Sequence, residues 1–340
     1  MNGSAERWVG IDVSKSKLDV AWLGERGRIK SHVFDNDARG HGALIAWLQS
    51  RACEAGVVRV CMEATGPYGE AAAVALTDAG IGVSVVNPAR VKGFAQSDLT
   101  RNKTDRIDAA LLARFGQMMR PDPWEAPPPE LRALRALVDR LHSLKDMQQQ
   151  ETNRLEGCSS SMPHQAGTRA SIESHLQWLR DSIKQIERQI DDHIDRHPGL
   201  RHDVQLITSI PGVGNTTAAK VLAYLGDVRR FRNGKALAAF VGVTPRLKQS
   251  GSSVRGRSMI SRSGHASVRH SLYMPAMVAL KHNPLLNAFG VRLKASGLAP
   301  KAVIAACMHK LVLLIYGILK SGLPFNPNFG QPRLDLQDGI

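Results

Sequence analysis

Four acidic residues in the first third of the chain have the types and positions that metal-ion chemistry requires. Asp12 and Glu63 each end an apolar, strand-like run, whereas Asp105 and Asp108 begin an Ala/Leu-rich helix and share one face of it. Four converging carboxylates repel one another unless divalent cations bind them. Because every ligand is an oxygen, the pattern favours Mg²⁺ or Mn²⁺ in a two-metal site, an arrangement suited to phosphodiester chemistry. The alternative is that these acids are solvated strand ends and a helix cap.

The positive charge of the chain is confined to its last part. The net charge is +15 and the pI is near 10.0. Residues 1–200 hold 26 Lys/Arg and 26 Asp/Glu, whereas residues 201–340 hold 19 and 4. Since such a one-sided segment repels itself unless it faces a polyanion, we interpret residues 201–340 as a nucleic-acid surface. A basic membrane-surface domain is the alternative, although no Lys-rich amphipathic helix is evident.

Two stretches within this basic segment are candidate phosphate-binding elements. The sequence Ile-Pro-Gly-Val-Gly-Asn-Thr-Thr-Ala at 210–218 predicts the turn of a helix–hairpin–helix element, in which Gly212 and Gly214 let the backbone approach a phosphate. The stretch 246–269 is rich in serine and contains no acid, so it is a candidate phosphate cradle, the alternative being a flexible basic loop without chemistry. Its six cations are Arg246, Lys248, Arg255, Arg257, Arg262 and Arg269.

The elements that must position the acids follow an α/β pattern. A predicted strand hairpin comes first, a weaker third strand follows, and helices then alternate with strands. This order is compatible with a ribonuclease-H-like fold. The predicted strands are 8–14, 18–22, 27–35, 57–62 and 81–86, and the predicted helices between them are 42–55 and 68–79.

The rest of the chain reads as mainly helical. Apolar residues recur every three or four positions over 131–155 and at near-heptad spacing over 172–194. This predicts an antiparallel helical hairpin or a short coiled coil, which we expect to mediate dimerisation, an ordinary two-helix spacer being the alternative. A strand-like apolar run, 236–243, precedes the serine-rich stretch. The expected domains are α/β 1–120, a stiff linker with five prolines at 121–130, helical 131–200, basic and mainly α 201–330, and a tail 331–340.

Cysteine usage and apolar runs bear on the compartment. Four scattered cysteines without CxxC spacing argue against a zinc ribbon or a disulfide framework and fit a reducing cytosol. The N-terminus lacks an apolar signal core, and the run 302–319, interrupted by His309 and Lys310, is expected to be too short to span a bilayer. We therefore expect a soluble, cytoplasmic and nucleoid-associated protein with no membrane partner.

Five motifs in order give the chain a resemblance to the DEDD transposases of bacterial insertion sequences, described as bridge-RNA-guided recombinases, with Piv-type DNA invertases as relatives. The resemblance covers essentially the whole chain. The motifs are Gly-Ile-Asp-Val-Ser-Lys at 10–15, Glu-Ala-Thr-Gly-Pro-Tyr at 63–68, Lys-Thr-Asp-Arg-Ile-Asp at 103–108, Ile-Pro-Gly-Val-Gly at 210–214, and Ala-Ala-Phe-Val-Gly-Val-Thr-Pro at 238–245 followed by Gln-Ser-Gly at 249–251.

The resemblance implies a RuvC-like N-terminal domain whose acidic quartet is Asp12, Glu63, Asp105 and Asp108. It also implies donor and target DNA as partners, a structured non-coding guide RNA that pairs with both, and a homo-oligomer, dimer or tetramer, with composite sites across protomers.

The same resemblance implies a serine nucleophile, which the Gln-Ser-Gly motif places at Ser250, with Ser252 or Ser253 next. Serine needs a base or a metal for activation, and no carboxylate lies near Ser250 in the sequence. We therefore expect the N-terminal metal site to activate the serine. Arg255, Arg257 and Arg262 are expected to neutralise the scissile or adjacent phosphates.

Other functional classes remain as alternatives. The first is a RuvC-like, metal-dependent, structure-specific nuclease in which water attacks, which would leave no covalent protein–DNA product. Because the motif at 10–15 also resembles the first phosphate motif of actin-like and sugar kinases, a phosphotransferase is the second, and ATP turnover without DNA would indicate it. A non-catalytic nucleic-acid-binding protein is the third.

Overall fold

The chain folds into two compact units, Met1–Ala126 and Pro127–Ile340. The first unit is built on a mixed sheet, and the second is mainly helical. The computed structural model describes residues 6–24, 28–55, 57–64, 66–97, 104–158, 166–246, 249–250, 254–255, 259–261 and 264–328.

The sheet of the first unit has five strands in the order β3-β2-β1-β4-β5. Strand β2 runs antiparallel to β1 and β3, whereas β4 and β5 run parallel to β1. This hairpin-first mixed order confirms the predicted α/β class and its ribonuclease-H-like arrangement. The strands are β1 Arg7–Val13, β2 Lys17–Leu23, β3 Ile29–Asp35, β4 Val58–Glu63 and β5 Gly82–Val86.

Among the described residues of this unit, four helices accompany the sheet, and one of them was not predicted. No helix was predicted after the strand 81–86, but Asn87 and Pro88 start one, because the Asn87 side chain accepts a hydrogen bond from the Ala89 amide at 2.8 Å and Pro88 suits a first helical turn. The helices are α1 Ala38–Ala55, α2 Pro67–Asp78, α3 Pro88–Ser97 and α4 Asp105–Met119.

The proline-rich segment after α4 follows the sheet instead of spanning open solvent as a linker. The Trp124 amide donates to the Val83 carbonyl of β5 at 2.6 Å, and the Ser84 hydroxyl donates to the Pro121 carbonyl at 3.0 Å. Proline cannot extend a regular ladder, so the segment covers the edge of β5 with only isolated contacts. The first unit therefore extends to Ala126, beyond residue 120.

The second unit starts with two long helices, α5 Pro129–Gly157 and α6 Ala166–Arg196. Contacts between their opposite ends show that they run antiparallel: the His193 ring nitrogen Nε2 lies 2.8 Å from the Glu130 carbonyl, and Lys145 Nζ donates to Glu187 Oε1 at 2.8 Å. The predicted antiparallel pairing is thus present within one chain. Supercoiling and dimerisation remain predictions.

The basic part of the chain adds a layer of shorter helices to this pair. Buried apolar side chains from Leu131 to Leu319 form a single core, so segments 131–200 and 201–330, expected to be separate domains, share one interior. The helices are α7 Pro198–Thr208, α8 Asn215–Leu225, α9 Gly234–Val241, α10 Ala266–Ser271, α11 Tyr273–His282, α12 Pro284–Ala295 and α13 Pro300–Ser321, with a 3₁₀ turn at Val228–Arg230.

The strand-like interpretation of residues 236–243 is wrong, because this run forms helix α9. The Asn233 side chain caps its first turn by accepting from the Ala236 amide at 2.9 Å, and Gly242 ends it in a left-handed conformation. Alanines at three positions of the run also favour a helix. The apolar content that suggested a strand instead fills the core through Leu237 and Val241.

Helix α13 bears on the membrane prediction. In the described part of the chain it is the helix whose length and composition would allow it to cross a membrane. The expectation that the run 302–319 is too short is therefore wrong on length, since the helix spans Pro300–Ser321. Within the second unit, Val303, Leu311 and Ile315 of this helix are buried in the common core.

Candidate active site

Adjacent parallel strands position the first two candidate acids. The register of β1 on β4 pairs Ile11 with Met62, and Asp12 and Glu63 follow these two residues. Both strands run in the same direction, so both carboxylates lie at the same edge of the sheet. Ile11 and Met62 are buried and anchor the two strand ends. The acids therefore sit at the end of a packed scaffold, as their apolar contexts predicted.

Helix α4 brings the other two acids to this edge by lying unusually close to β1. A Cβ atom at Gly10 would come within 1.9 Å of the Ala109 carbonyl oxygen and 2.4 Å of the Ala113 amide nitrogen, and one at Gly116 would meet the Trp8 ring at 2.3 Å. Only glycine permits such an approach. The start of α4 is fixed by its N-cap, Thr104, whose side chain accepts from the Ile107 amide at 3.3 Å.

The pKa of Asp12 shows that the other three predicted acids lie close enough to act on it. The pKa of Asp12 is raised from 3.8 to about 6, first by burial and then by the charges of Asp108, Asp105, Asp19 and Glu63, in that order. The structure thus gathers the four acids predicted from sequence around Asp12. Burial and the neighbouring negative charges both disfavour the ionised form of Asp12, and a bound cation would offset the charges.

Two further residues of this cluster were missed by sequence reasoning. Asp19 of β2 is the cross-strand partner of Asp12 and is only 8% exposed. Lys17 Nζ lies 2.7 Å from Asp105 Oδ2 and 3.0 Å from Asp19 Oδ2. The hydrogen bonds to Asp105 and then to Asp19 raise the pKa of Lys17 to about 12. The signal was available, because a tight β1–β2 hairpin places residue 12 opposite residue 19.

The donor set suits a hard divalent cation, since it consists of carboxylate oxygens alone. Among the described residues, no three His, Cys, Asp or Glu side chains are arranged so that they could hold a metal ion together. The Lys17 ammonium contacts the carboxylates of Asp19 and Asp105. Metal binding by Asp12, Glu63, Asp105 and Asp108 therefore stays a prediction from sequence.

The predicted serine lies on a small β arm in the second unit. Strand β7 Gln249–Ser250 pairs antiparallel with β8 Val254–Arg255, and β6 Pro245–Arg246 pairs with β9 Met259–Ile260. The stretch expected to be a loop therefore has hairpin pairing, with Ser250 opposite Val254. Five predicted site residues, Lys248, Ser252, Ser253, Arg257 and Arg262, lie outside the described residues.

The base of this arm is attached firmly to the helical core. The Ser261 amide donates to the Thr244 carbonyl at 2.8 Å, and the His265 amide donates to the Phe240 carbonyl at 3.0 Å. Arg269, one of the predicted phosphate-binding cations, lies in α10 and donates to the Val241 carbonyl at 3.4 Å. The arm thus leaves the end of α9 and returns at the start of α10 with both ends fixed.

The Gly-Val-Gly turn lies between α7 and α8, where sequence analysis placed it. Gly212 has φ of +99°, and a Cβ there would come within 2.7 Å of the Ala279 amide of α11. Backbone conformation and close packing therefore both favour glycine at this position. Gly214 is the N-cap of α8, and a Cβ there would meet open space. Packing therefore requires glycine at position 212, whereas neither packing nor backbone conformation requires it at position 214.

Comparisons with known proteins match most of the chain to transposases and to a DNA-inverting protein. A family model described as Transposase matches residues 9–160, and the model of the Transposase IS116/IS110/IS902 family matches residues 204–290. The chain is 31% identical to the pilin gene-inverting protein of Moraxella bovis over 95% of this chain and 98% of that protein. It is 26% identical to an IS110 insertion-element protein of Streptomyces coelicolor over 45% of this chain and 36% of that protein.

Among solved structures, Thermus thermophilus RuvC bound to a Holliday-junction substrate matches 35% of this chain and 100% of its own, at 15% identity and a TM-score of 0.28. At this score the assignment of the fold rests on the strand order described above.

Proposed function

The chain belongs to the IS110 family of DEDD transposases, which makes it a DNA recombinase, and from this premise we propose that it exchanges DNA strands through a metal-assisted serine–DNA intermediate. The observation that carries the proposal is the crowding of Asp108, Asp105 and Glu63 around Asp12 at one edge of the sheet. This family assignment replaces the phosphotransferase and the purely binding alternatives. The proposed place of action is DNA in the cytoplasm, in association with the nucleoid.

The acidic cluster has a defined role in this proposal. Asp12, Glu63, Asp105 and Asp108 would hold Mg²⁺ or Mn²⁺, and the bound metal would supply charge neutralisation at the phosphate and a lowered pKa for the attacking hydroxyl. The protein's own contribution is to hold the carboxylates on rigid strand ends and on a helix pinned against β1. Dependence on divalent metal follows from the DEDD family assignment.

The serine supplies the covalent step. The Ser250 hydroxyl attacks a DNA phosphorus, an Oγ–P bond forms, and the P–O bond to the leaving sugar breaks, releasing a sugar hydroxyl. A hydroxyl from another strand reverses the step, so one phosphodiester is exchanged for another without ATP. The proposed phosphate contacts are Arg246, Lys248, Arg255, Arg257, Arg262 and Arg269, with backbone amides near Gly212 and Gly214.

The partners beyond DNA also belong to the proposal. Resemblance to bridge-RNA-guided recombinases supports a structured guide RNA that pairs with donor and target DNA. The same resemblance supports a homo-oligomer in which acids and serine from different protomers form one composite site. RNA that co-purifies with the protein, and recombination that is lost on ribonuclease treatment, would test the guide.

Site-specific inversion is a second candidate for the overall reaction. A pilin gene-inverting protein matches this chain over nearly the full length of both, whereas the IS110 insertion-element protein matches over less than half. The two reactions share the same strand chemistry and differ in the arrangement of sites. A plasmid carrying paired sites in either orientation distinguishes them, because inversion requires inverted sites and leaves the plasmid length unchanged.

The decisive experiment concerns the covalent intermediate. Protein, Mg²⁺ and a nicked suicide DNA substrate are resolved on a denaturing gel. We expect a slow-migrating protein–DNA band that Ser250→Ala and Asp105→Asn both lose, while Ser250→Ala retains DNA binding. Ser296→Ala, a change at an exposed serine that ends α12, serves as the matched control and keeps the band.

Two outcomes would revise the mechanism. A band that survives in Ser250→Ala and disappears in Ser252→Ala or Ser253→Ala would move the nucleophile along the arm. Strand cleavage by the wild type without any covalent band would instead indicate a water-attacking nuclease of the resolvase type.

A further inference from the structure

The ammonium group of Lys17 has no part in the chemistry described above, yet it lies inside the acidic cluster. Its Nζ atom contacts carboxylates from two different elements, Asp19 of β2 at 3.0 Å and Asp105 at the start of α4 at 2.7 Å. An ordinary surface pair links two exposed side chains and contributes little. Here the carboxyl group of Asp19 is 11% exposed, so one member of the pair is largely withdrawn from water.

The charge of Asp19 makes this contact necessary. Asp19 faces Asp12 across the β1–β2 ladder and adds a fifth carboxylate to the four of the cluster. Withdrawing a carboxylate from water beside other carboxylates is costly unless a cation compensates for it. Lys17 starts the same strand, two residues before Asp19, and its side chain supplies that cation.

The second contact connects this cation to the proposed metal site. Asp105 Oδ2 accepts a hydrogen bond from Lys17, so an ammonium group already lies beside this carboxylate in the metal-free protein. An ammonium and a divalent cation close to the same carboxylates also repel each other. The two cations therefore compete for Asp105.

We propose that the Lys17 ammonium is a built-in counter-ion, which occupies the acidic cluster in the metal-free protein and competes with the divalent cation for Asp105. The proposal rests on the proposed function, since it takes Asp105 as a metal ligand. Lys17 acts as a positioning residue. It holds α4 against the sheet before metal arrives and lowers the apparent metal affinity, so the cluster fills only when enough metal is present.

The test measures Mn²⁺ binding and metal-free stability on the full chain, with no recombination readout. In Lys17→Met we expect Mn²⁺ affinity, measured by calorimetry or by paramagnetic resonance of free Mn²⁺, to rise about fivefold, the range of a partly exposed charge pair. The melting temperature in EDTA falls by about 2–4 °C, because the carboxylates lose their compensation. Structural damage alone would weaken Mn²⁺ binding, so the opposite signs separate the two explanations.

Matched variants define the result. Lys30→Met removes one positive charge from an exposed position of β3 and should leave both measurements as in the wild type, while Lys17→Arg keeps the charge and should preserve the EDTA melting temperature. Unchanged or weaker Mn²⁺ binding by folded Lys17→Met overturns this inference alone. If Asp105→Asn binds Mn²⁺ as well as the wild type does, or if the wild type binds none, the proposed metal role of Asp105 fails. This inference then fails with it.

Discussion

At the scale of single residues, Asp12 bears the electrostatic cost of the cluster. Its pKa is raised to about 6 first by burial and then by four neighbouring carboxylates. The folded protein therefore holds the Asp12 proton more tightly than the unfolded chain, whose ordinary value is 3.8. This contribution stabilises the fold at low pH and is lost as the pH rises through 6, so the ionised carboxylate opposes folding above that pH.

Asp12→Asn should consequently change stability and activity in opposite directions. In EDTA at about pH 7.5 we expect the variant to be more stable than the wild type by on the order of 2 kcal/mol, because it removes a charge that the cluster disfavours. The gain should shrink towards zero as the pH falls to about 4. Recombination should be lost at every pH. Urea unfolding at both pH values, beside a recombination assay, measures this.

A less stable Asp12→Asn protein at pH 7.5 would mean that the carboxylate makes a favourable contact that outweighs the repulsion, and would contradict the argument. Glu70→Gln is a suitable comparison, since it removes an acid in α2 that is not among the charges acting on Asp12.

The residue scale also shows what sequence could and could not reveal. Asp12, Glu63, Asp105 and Asp108 were predicted because each stands at a recognisable end of an element. Asp19 and Lys17 were missed because their relation to the cluster arises from pairing across a hairpin and from a side chain that reaches over to α4. Type and spacing along one element are visible in sequence, whereas the register between elements must be worked out strand by strand.

At the scale of elements, the close contact of α4 with β1 decides whether the site exists. Gly10 lies under the Ala109 carbonyl and the Ala113 amide, both of them backbone atoms that cannot turn aside as a flexible side chain can. The helix thus rests on the strand with no side chain between them. Any added atom at this contact moves Asp105 and Asp108 away from Asp12.

Gly10→Ala should therefore destabilise the first unit by about 2 kcal/mol or more, since overpacking against backbone forces the helix to shift. The variant should also lose the Mn²⁺ binding expected of the cluster. Urea unfolding and Mn²⁺ titration measure the two effects.

Gly42→Ala is the control for this change. It lies in α1, where a Cβ would meet nothing within 4 Å. Replacing an exposed helical glycine by alanine should stabilise by about 0.5–1 kcal/mol. Equal stability of Gly10→Ala and Gly42→Ala would show that α4 is not held where the structure places it.

Helices and strands were predicted correctly where capping residues and apolar periodicity agreed. The predictions were wrong where only one of these two signals was used. The run 236–243 was interpreted as a strand from its apolar content, although Asn233 and Gly242 carry the start and stop signals of a helix. Helix α3 was not predicted, although Asn87 and Pro88 carry the start signals of a helix. In both places a capping residue outweighed the pattern of apolar residues.

At the scale of the whole molecule, charge is divided as the two units are. Met1–Ala126 holds 16 Lys/Arg and 15 Asp/Glu, whereas Pro127–Ile340 holds 29 and 15. The near-neutral unit carries the acidic cluster, and the basic unit carries the serine arm. We therefore expect the affinity for the polyanion and the proposed metal chemistry to lie in different parts of the chain.

A fragment of residues 127–340 should provide most of the nonspecific affinity for duplex DNA. Its buried side chains form a core of their own, so we expect it to fold alone. Binding should weaken by about 10³-fold between roughly 50 and 200 mM salt, as counterions released from phosphates are replaced. Fluorescence anisotropy over a salt series measures this. Equal or tighter binding by a 1–126 fragment would overturn the assignment.

The position of α4 along the chain has a consequence for the order of folding. Strands β1 to β5 of the first unit all precede α4 in the chain, so their sheet can form during synthesis before α4 is made. At that point the sheet holds only three of the five clustered acids, Asp12, Asp19 and Glu63. The remaining two carboxylates, Asp105 and Asp108, join the cluster only when α4 docks, so this late step has to overcome most of the repulsion. The same helix should be the first part of this unit to open in the metal-free protein, as a local unfolding unit seen by amide hydrogen exchange.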